Sequence, residues 1–485
     1  MKSYLSTITA ISVASTALCL SPDAQANVVL HAFDWHYGTV TERAQDIAER
    51  GYGAVLVAPP NKTQKDGSGN SAWYQHYQPQ DLRVIDHSRG NKEDFVRMIR
   101  ALHDEGVQVY ADVVVNQMAN DPWSHPDNAY PGQAILGAYS ANPTYWNAQR
   151  LFGNLSWGLF SGNDFHAPFC IQNFSDRYQS LHGRICGGNG DPGMPDLRDT
   201  DDSGAARWVR QVRRDYINAL HDLGVDGFRI DAAKHMPTSA LTDMLSDVSG
   251  RPNAPYVFAE IITWGGPSTS EYFYLGDYLR ETPSHYTAYD FPLLNRLKAV
   301  FRPEGRMTDL GNPEASGDAL PGERALTMTV THDIPYNNVF RGLIFGDRTD
   351  EELAYAYILG RDGGSPMVFD DGSQGRTDNG RWVNAYANAR LNSMIRFHNA
   401  VEGQGMEVLA ANDCALLFRR GQEGVVGINK CGTEQAFSVT TNWRFYWSRD
   451  YVDTLSGNRL RITGSPHQFR IPPRDARMWV AAPAR

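Results

Sequence analysis

The stretch NKEDFVRMIRALHDEGVQVYADVVVNQ, residues 91–117, holds a helix and the strand that follows it. Residues 91–106 carry the spaced apolar positions of an amphipathic helix, and residues 107–116 form a nearly unbroken apolar run of the buried-strand type. The run ends at two neutral amides, Asn116 and Gln117, where chemistry can begin. Upstream, VVLHAFDW (28–35), TVTERAQDIAERG (39–51) and AVLVAPP (54–60) extend the pattern backwards, giving strand, helix, strand, helix, strand. Downstream it resumes with SGAARWVRQVRRDYINALHDLG (203–224), VDGFRIDAAKH (225–235), SALTDMLSDVSG (239–250), PYVFAEI (255–261), ALTMTVTHD (325–333), DEELAYAYILG (350–360) and SPMVFDD (365–371). A weaker strand near YTAYDFPLL (286–294) brings the total to eight, the number that closes a parallel (β/α)8 TIM barrel.

Between about Gln117 and Met194 the aliphatic periodicity gives way to Gly, Asn, Asp, Pro and aromatic residues. A stretch that long inside a barrel needs a fold or function of its own, so it reads as an inserted domain after the third strand, on the face where barrel active sites lie. After the helix ARLNSMIRFHNAV (389–401), short alternating runs such as ALLFRR (415–420), GVVGIN (424–429) and RMWVAA (477–482) predict a terminal antiparallel β-sandwich. The expected division is 1–26 signal peptide, 27–116 first part of the barrel, 117–194 inserted domain, 195–402 second part of the barrel and 403–485 sandwich.

A chain of 485 residues supports a large core and more than one domain. Its net charge of −10 argues against nucleic acid, which needs a concentrated basic surface. Residues 1–26 pass from Lys2 through an uncharged stretch to AQA, the small-x-small pattern of a secretory signal, so a secreted protein is expected, extracellular or periplasmic. Leu18 is bulky where a lipid anchor on Cys19 wants a small residue, and beyond the signal no apolar run approaches the roughly 20 residues of a membrane span. The expectation is a soluble chain acting as a monomer, without membrane or nucleic-acid partners. Cys170, Cys186, Cys414 and Cys431 remain, an even set that favours disulfides in an exported protein. Three pairings are open, and the two between sequence neighbours are simplest. A loop near 15 residues gains roughly 3 kcal/mol from closure.

In VDGFRIDAAKH the strand period of two puts Gly227, Arg229 and Asp231 on the face that points into the barrel, with Phe228 and Ile230 outside. Asp231 therefore ends a strand beside a guanidinium that keeps it ionised and oriented. Two more acids end strands, Glu260 after YVFA and Asp333 after TMTVTH. Converging carboxylates repel one another, and an ordinary Arg–Asp ion pair does not explain three of them. Mutual repulsion raises the pKa of one member, leaving a protonated acid beside an ionised nucleophile, the division of labour of glycoside hydrolysis. In its retaining form the two carboxyl groups stand about 5 to 5.5 Å apart.

Taken together, DVVVNQ (112–117), MPDL (194–197), GFRIDAAKH (227–235), FAEI (258–261), VTHD (330–333) and WYQHYQPQD (73–81) resemble, in order and spacing, the motifs of the α-amylase family, glycoside hydrolase family 13. The resemblance covers essentially all of the chain beyond the signal. It implies Asp231 as nucleophile, Glu260 as general acid/base and Asp333 as transition-state stabiliser. It also implies that Arg229 orients Asp231, that His332 and Tyr77 contact the sugar at the cleavage point, that Lys234 binds on the leaving-group side, and that His235 also contacts substrate. A structural Ca²⁺ is implied between barrel and inserted domain, held by Asn116, Asp196 and the His235 backbone carbonyl, hard oxygen donors of the kind Ca²⁺ prefers. Gln117 departs from the family, which usually has His there; its amide donates and accepts but never becomes cationic, so specificity or pH response is where a difference is expected. Gln75 is a second such departure. Thr331 stands where chloride-activated members carry Asn, which argues against chloride dependence. The expected function is retaining endo-hydrolysis of α-1,4 bonds in starch, glycogen and related α-glucans. A transglycosylase of the same family and a non-catalytic carbohydrate-binding barrel are the alternatives; the intact set Arg229, Asp231, Glu260 and Asp333 argues against the second.

Overall fold

The computed structural model describes residues 28–120, 129–188, 190–264, 272–373, 378–447 and 449–483; the expected signal segment, with Cys19, lies outside them. Eight strands alternate with eight long helices: β1 (Val29–Phe33), α1 (Tyr37–Glu49), β2 (Ala54–Val57), α2 (Lys92–Asp104), β3 (Gln108–Val113), α3 (Gly204–Asp222), β4 (Gly227–Ile230), α4 (Thr238–Ser249), β5 (Tyr256–Ala259), α5 (Tyr272–Glu281), β6 (Tyr286–Tyr289), α6 (Phe291–Val300), β7 (Ala325–Thr327), α7 (Arg348–Ile358), β8 (Ser365–Asp371) and α8 (Ala389–Ala400). Every neighbouring pair is parallel, and β8 closes onto β1, so the strands follow chain order around a closed barrel.

The helices form where the periodicity places them. In α2, Phe95, Met98, Ile99 and Leu102 are the buried positions, and Asn91 caps the start by accepting from the Asp94 backbone N–H at 3.1 Å. The weak strand expected near residues 286–294 stops at Tyr289, because Asp290 accepts from the Leu293 N–H at 2.9 Å and begins α6 there. The apolar run of β7 likewise leaves the sheet after Thr327, and Met328–Thr331 carry the chain to His332 and Asp333.

After β3 the chain departs and later returns beside its own exit point. The Leu197 N–H donates to the Asn116 carbonyl at 2.9 Å and the Met118 N–H to the Pro195 carbonyl at 3.0 Å, with Gln117 bridged to Asp196. Between these ends lie helices Gln133–Ala141, Pro143–Gln149 and Arg177–His182 and a disulfide, Cys170–Cys186.

The chain ends in β9 (Met406–Ala411), β10 (Ala415–Arg420), β11 (Gly424–Asn429), β12 (Gln435–Val439), β13 (Asp450–Asp453), β14 (Arg459–Arg461), β15 (His467–Ile471) and β16 (Asp475–Ala481). They pair antiparallel as a six-stranded sheet, β9-β10-β11-β16-β13-β14, and a two-stranded one, β12-β15, with Cys414–Cys431 tying β10 to the end of β11. Alternation along β10 gives the large sheet two apolar faces: Leu417 packs with Val439 and Phe469 between the sheets, while Leu416 and Phe418 join the core of the barrel.

Candidate active site

The C-terminal ends of the barrel strands gather the carboxylates around one cation. Arg229, fully buried in β4, lies opposite Asp112 of β3 in strand register. Its Nη1 contacts Asp112 Oδ1 at 2.6 Å and Asp231 Oδ1 at 3.0 Å, and its Nη2 contacts Glu260 Oε1 at 2.6 Å. Burial opposes the guanidinium charge, but Asp112, Glu260 and Asp231 overcome that opposition and hold it cationic. The other oxygen of Glu260 accepts from the Ala232 backbone N–H at 3.1 Å. Ala232 has a positive φ of 49°, so the chain turns sharply just after Asp231 and directs this N–H at Glu260.

Burial raises the pKa of Asp231, Glu260 and Asp333, and Arg229 pulls each back. Asp333 adds to the rise at Glu260, and Glu260 adds to the rise at Asp231. The group therefore titrates as a coupled set, retaining protons above the ordinary carboxylate range. Asp333 is its outermost member, with 22% of its side chain exposed against 10% for Asp231 and 8% for Glu260.

His332 lies between Phe33 and Tyr77, stacked on each at 4.9 Å between ring centroids, and burial followed by Arg229 lowers its pKa to about 3. It is a neutral ring, with Nε2 3.6 Å from Asp333. Tyr77, half-buried in the short turn Trp73–Tyr77, donates its hydroxyl to Asp112 Oδ2 at 3.0 Å. Gln117 Nε2 donates to Asp231 Oδ2 and to the Tyr77 carbonyl, each at 3.3 Å, while its buried Oε1 has no hydrogen-bond partner among the described residues. Gln75 points elsewhere: its Oε1 accepts from the Ala72 N–H at 2.8 Å and fixes the turn that carries Tyr77.

The structure thus brings Arg229, Asp231, Glu260, Asp333, His332, Tyr77 and Gln117 to one place. Lys234 and His235 occupy the turn after β4, with Lys234 Nζ 5.5 Å from the Phe174 ring and 5.3 Å from that of Tyr274. The His235 ring is buried, its Nδ1 2.9 Å from the Ser180 carbonyl, and burial lowers its pKa to about 4. Asp112, Phe33 and Trp73 also belong to the cluster, although sequence reading does not single them out. Asp112 left a signal, a lone carboxylate inside an otherwise apolar strand, which needs a buried cation as partner. Phe33 and Trp73 left none, because aromatics in a barrel strand and a turn read equally well as core.

Asn116 and Asp196 also meet. Asn116 donates to Asp196, whose Oδ2 is 2.6 Å from His166 Nδ1 and whose Oδ1 is buried with no partner among the described residues. Burial, then the neighbouring Asp199, raise Asp196 well above the ordinary range. An orphaned carboxylate oxygen beside a side-chain amide fits the hard donor chemistry of Ca²⁺. No group of three His, Cys, Asp or Glu side chains is placed to hold a metal ion among the described residues, so such a site depends on amide and backbone oxygens as well.

Comparison with known proteins bears on this geometry directly. A family model described as the α-amylase catalytic domain matches residues 36–302, a span that includes Asp231 and Glu260 and stops short of Asp333. An α-amylase of Aeromonas hydrophila is 44% identical over 446 residues, covering 91% of this chain and 93% of that protein. An α-amylase of Thermomonospora curvata is 27% identical over 90% of this chain and 69% of its own length. Among solved structures, α-amylase I of Eisenia fetida superposes with a TM-score of 0.69 over 94% of each chain at 21% identity, a likeness of fold. With a relative this similar along nearly its whole length and a family match running through the strands that carry the buried Arg229 cluster, the chain belongs to the α-amylase family, glycoside hydrolase family 13.

Proposed function

We propose that this glycoside hydrolase is a secreted α-amylase that cuts internal α-1,4 bonds of starch, glycogen and related maltooligosaccharides with retention of configuration. The observation that carries the reading is the shared cation: Arg229 touches Asp231 with one nitrogen and Glu260 with the other. It orients Asp231 to attack the anomeric carbon and favours its ionised form against the rise that burial imposes, while Glu260, also raised by burial, keeps the proton for the leaving glycosidic oxygen. The C–O bond to the leaving sugar breaks as the bond to Asp231 forms. Glu260, now a carboxylate, then takes a proton from water, whose oxygen displaces Asp231 from the sugar. Asp333, at the outer edge of the cluster, stabilises positive charge that develops on the ring between these steps. Tyr77, His332 and Gln117 hold that sugar, and Lys234 faces the leaving side.

A Ca²⁺ ion would be held by Asn116 and Asp196 with the His235 carbonyl. Bound there, it would neutralise Asp196 and tie the segment after β3 to the barrel. Secretion is supported by the N-terminal sequence pattern and by four cysteines closed into two disulfides.

The test is incubation with soluble starch, counting new reducing ends and reading the anomer released first by NMR. Rapid loss of chain length with an α-anomer is expected. A β-anomer would refute retention, product longer than the substrate would indicate transfer, and no new ends would leave only binding. Asp231→Asn and Glu260→Gln should each lower kcat by at least about a hundredfold without changing the melting curve; near-parental turnover in either folded variant would remove that residue from its role.

A further inference from the structure

An ion pair joins the segment after β3 to α5, elements far apart in the chain. Arg177, which opens the helix Arg177–His182, places Nη2 2.7 Å from Asp277 Oδ2 of α5. Its guanidinium also lies 5.7 Å from the centroid of the Phe273 ring. Asp277 has a second cation, Arg280, 2.5 Å from its other oxygen, but Arg280 belongs to α5 itself and ties nothing across. With 12% of its side chain exposed against 56% for Arg177, Asp277 is the buried end of the pair. A water-facing arginine thus reaches over to a carboxylate seated in the barrel wall.

The same two elements meet at Lys234. Its ammonium lies 5.5 Å from the ring of Phe174, three residues before Arg177, and 5.3 Å from that of Tyr274, one helical turn before Asp277. Both distances fall within cation–π reach. Lys234, Tyr274, Arg177 and Asp277 line one cavity of about 90 Å³. The turn that carries Lys234 is itself fixed to the acid: the Lys234 N–H donates to the Glu260 carbonyl at 3.3 Å, and the Ala232 N–H to the Glu260 carboxylate. Helix Arg177–His182 holds that turn as well, its Ser180 carbonyl 2.9 Å from His235 Nδ1. With the backbone so anchored, the flexible four-carbon stem of Lys234 is the part free to swing, and the two rings set its direction.

We propose that Arg177 is a positioning residue: its ion pair with Asp277 holds the segment after β3 against α5, keeps Phe174 and Tyr274 together at Lys234, and so aims the ammonium at the part of the glucan that leaves. Arg177 acts through Lys234 and touches no sugar. This rests on the leaving-side role given to Lys234 above and adds what sets its strength. An ion pair with one partner in water contributes modestly, a factor of about two to five in an equilibrium. Its effect is therefore read best as a ratio of products formed in one reaction.

Two substrates separate positioning from chemistry: maltoheptaose labelled at its reducing end, and α-maltosyl fluoride, which has no sugar on the leaving side. Arg177→Gln should lower kcat/KM on maltoheptaose about two- to fivefold, mainly through KM, and move the favoured cleavage toward the labelled end. Fluoride release from α-maltosyl fluoride should keep its parental rate. Arg177→Lys, which keeps the charge, should retain most of the parental pattern, and Arg280→Gln, which removes the neighbour of Asp277 within α5, should leave the pattern unchanged. Lys234→Met is the reference for lost aim and should shift cleavage in the same direction, and further. A parental pattern in Arg177→Gln beside a shifted one in Lys234→Met would overturn the proposal. So would equal losses of Arg177→Gln on both substrates, or an Arg177→Lys variant as impaired as Arg177→Gln. A parental pattern in Lys234→Met would instead refute the leaving-side role of Lys234, and the proposal with it.

Discussion

At Gln117, where the sequence resemblance leads one to expect His, the geometry makes the consequence specific. The amide donates to Asp231 and to the Tyr77 carbonyl, and its oxygen is left buried without a donor. A buried acceptor in that state costs stability until something donates to it, and the sugar hydroxyls at the cleavage point are the donors at hand. Gln117→Ala should therefore cost about 1 to 3 kcal/mol in kcat/KM, the price of an unpaired buried partner. Gln117→His should bring a titration near pH 6.5 into the acidic limb of the rate profile, where the parent shows only the carboxyl set. On the proposed roles, activity of the parent should rise with pH as Asp231 ionises and fall as Glu260 loses its proton. Burial raises both, so both limbs should lie above the free carboxylate values of about 4. Initial rates from pH 3 to 10, taken beside melting curves, check this; a Gln117→Ala variant that melts earlier but turns over normally would make Gln117 a brace and nothing more. Asp231, Glu260 and Asp333 were legible in the sequence because each is a charge that follows an apolar run. Asp112 lies mid-strand, and only the β3–β4 register shows that Arg229 is its partner.

Among the elements, strands and helices with strong periodicity were readable, and weakness in the pattern marked real departures. β7 is short because its last apolar residues leave the sheet to deliver His332 and Asp333, and β6 ends where Asp290 turns the chain into α6. The segment after β3 was visible only as lost periodicity. Its order comes in part from the pairing of Gln117 with Asp196, far apart in sequence, which no local pattern encodes, whereas the Cys170–Cys186 bridge is one of the neighbouring pairs that the cysteine count suggests. That dependence sets the effect of metal. A Ca²⁺ held by Asn116 and Asp196, as proposed, would bind the folded chain alone and would stabilise it by mass action, by about 2.7 kcal/mol at a hundredfold excess over Kd. Exhaustive EDTA treatment should lower Tm by several degrees, with calcium restoring it. An unchanged Tm, with metal loss verified by elemental analysis, would take both residues off the ligand set.

Across the whole molecule, the barrel and the terminal sheets are joined by more than a linker. Arg420 of β10 donates to the carbonyls of Gly360 at 2.9 Å, Arg361 at 2.6 Å and Val401 at 3.2 Å, beyond the ends of α7 and α8. Lys430 Nζ reaches the carbonyls of Val300 at 2.9 Å and Arg302 at 2.7 Å at the end of α6. Cations placed on the negative ends of three helices, nearly out of water, lose those partners if either part opens alone. Calorimetry should accordingly give one unfolding transition, and two resolved transitions would contradict it. The alternating β10 gives the same coupling an inherited form. Leu416 and Phe418 belong to the barrel and Leu417 to the sandwich, so a change of side-chain volume in one part is felt one residue away in the other. Such a sheet is not an interchangeable module: transplanted to a foreign barrel it would bring the wrong half of an interface, and the two parts are bound to diverge together.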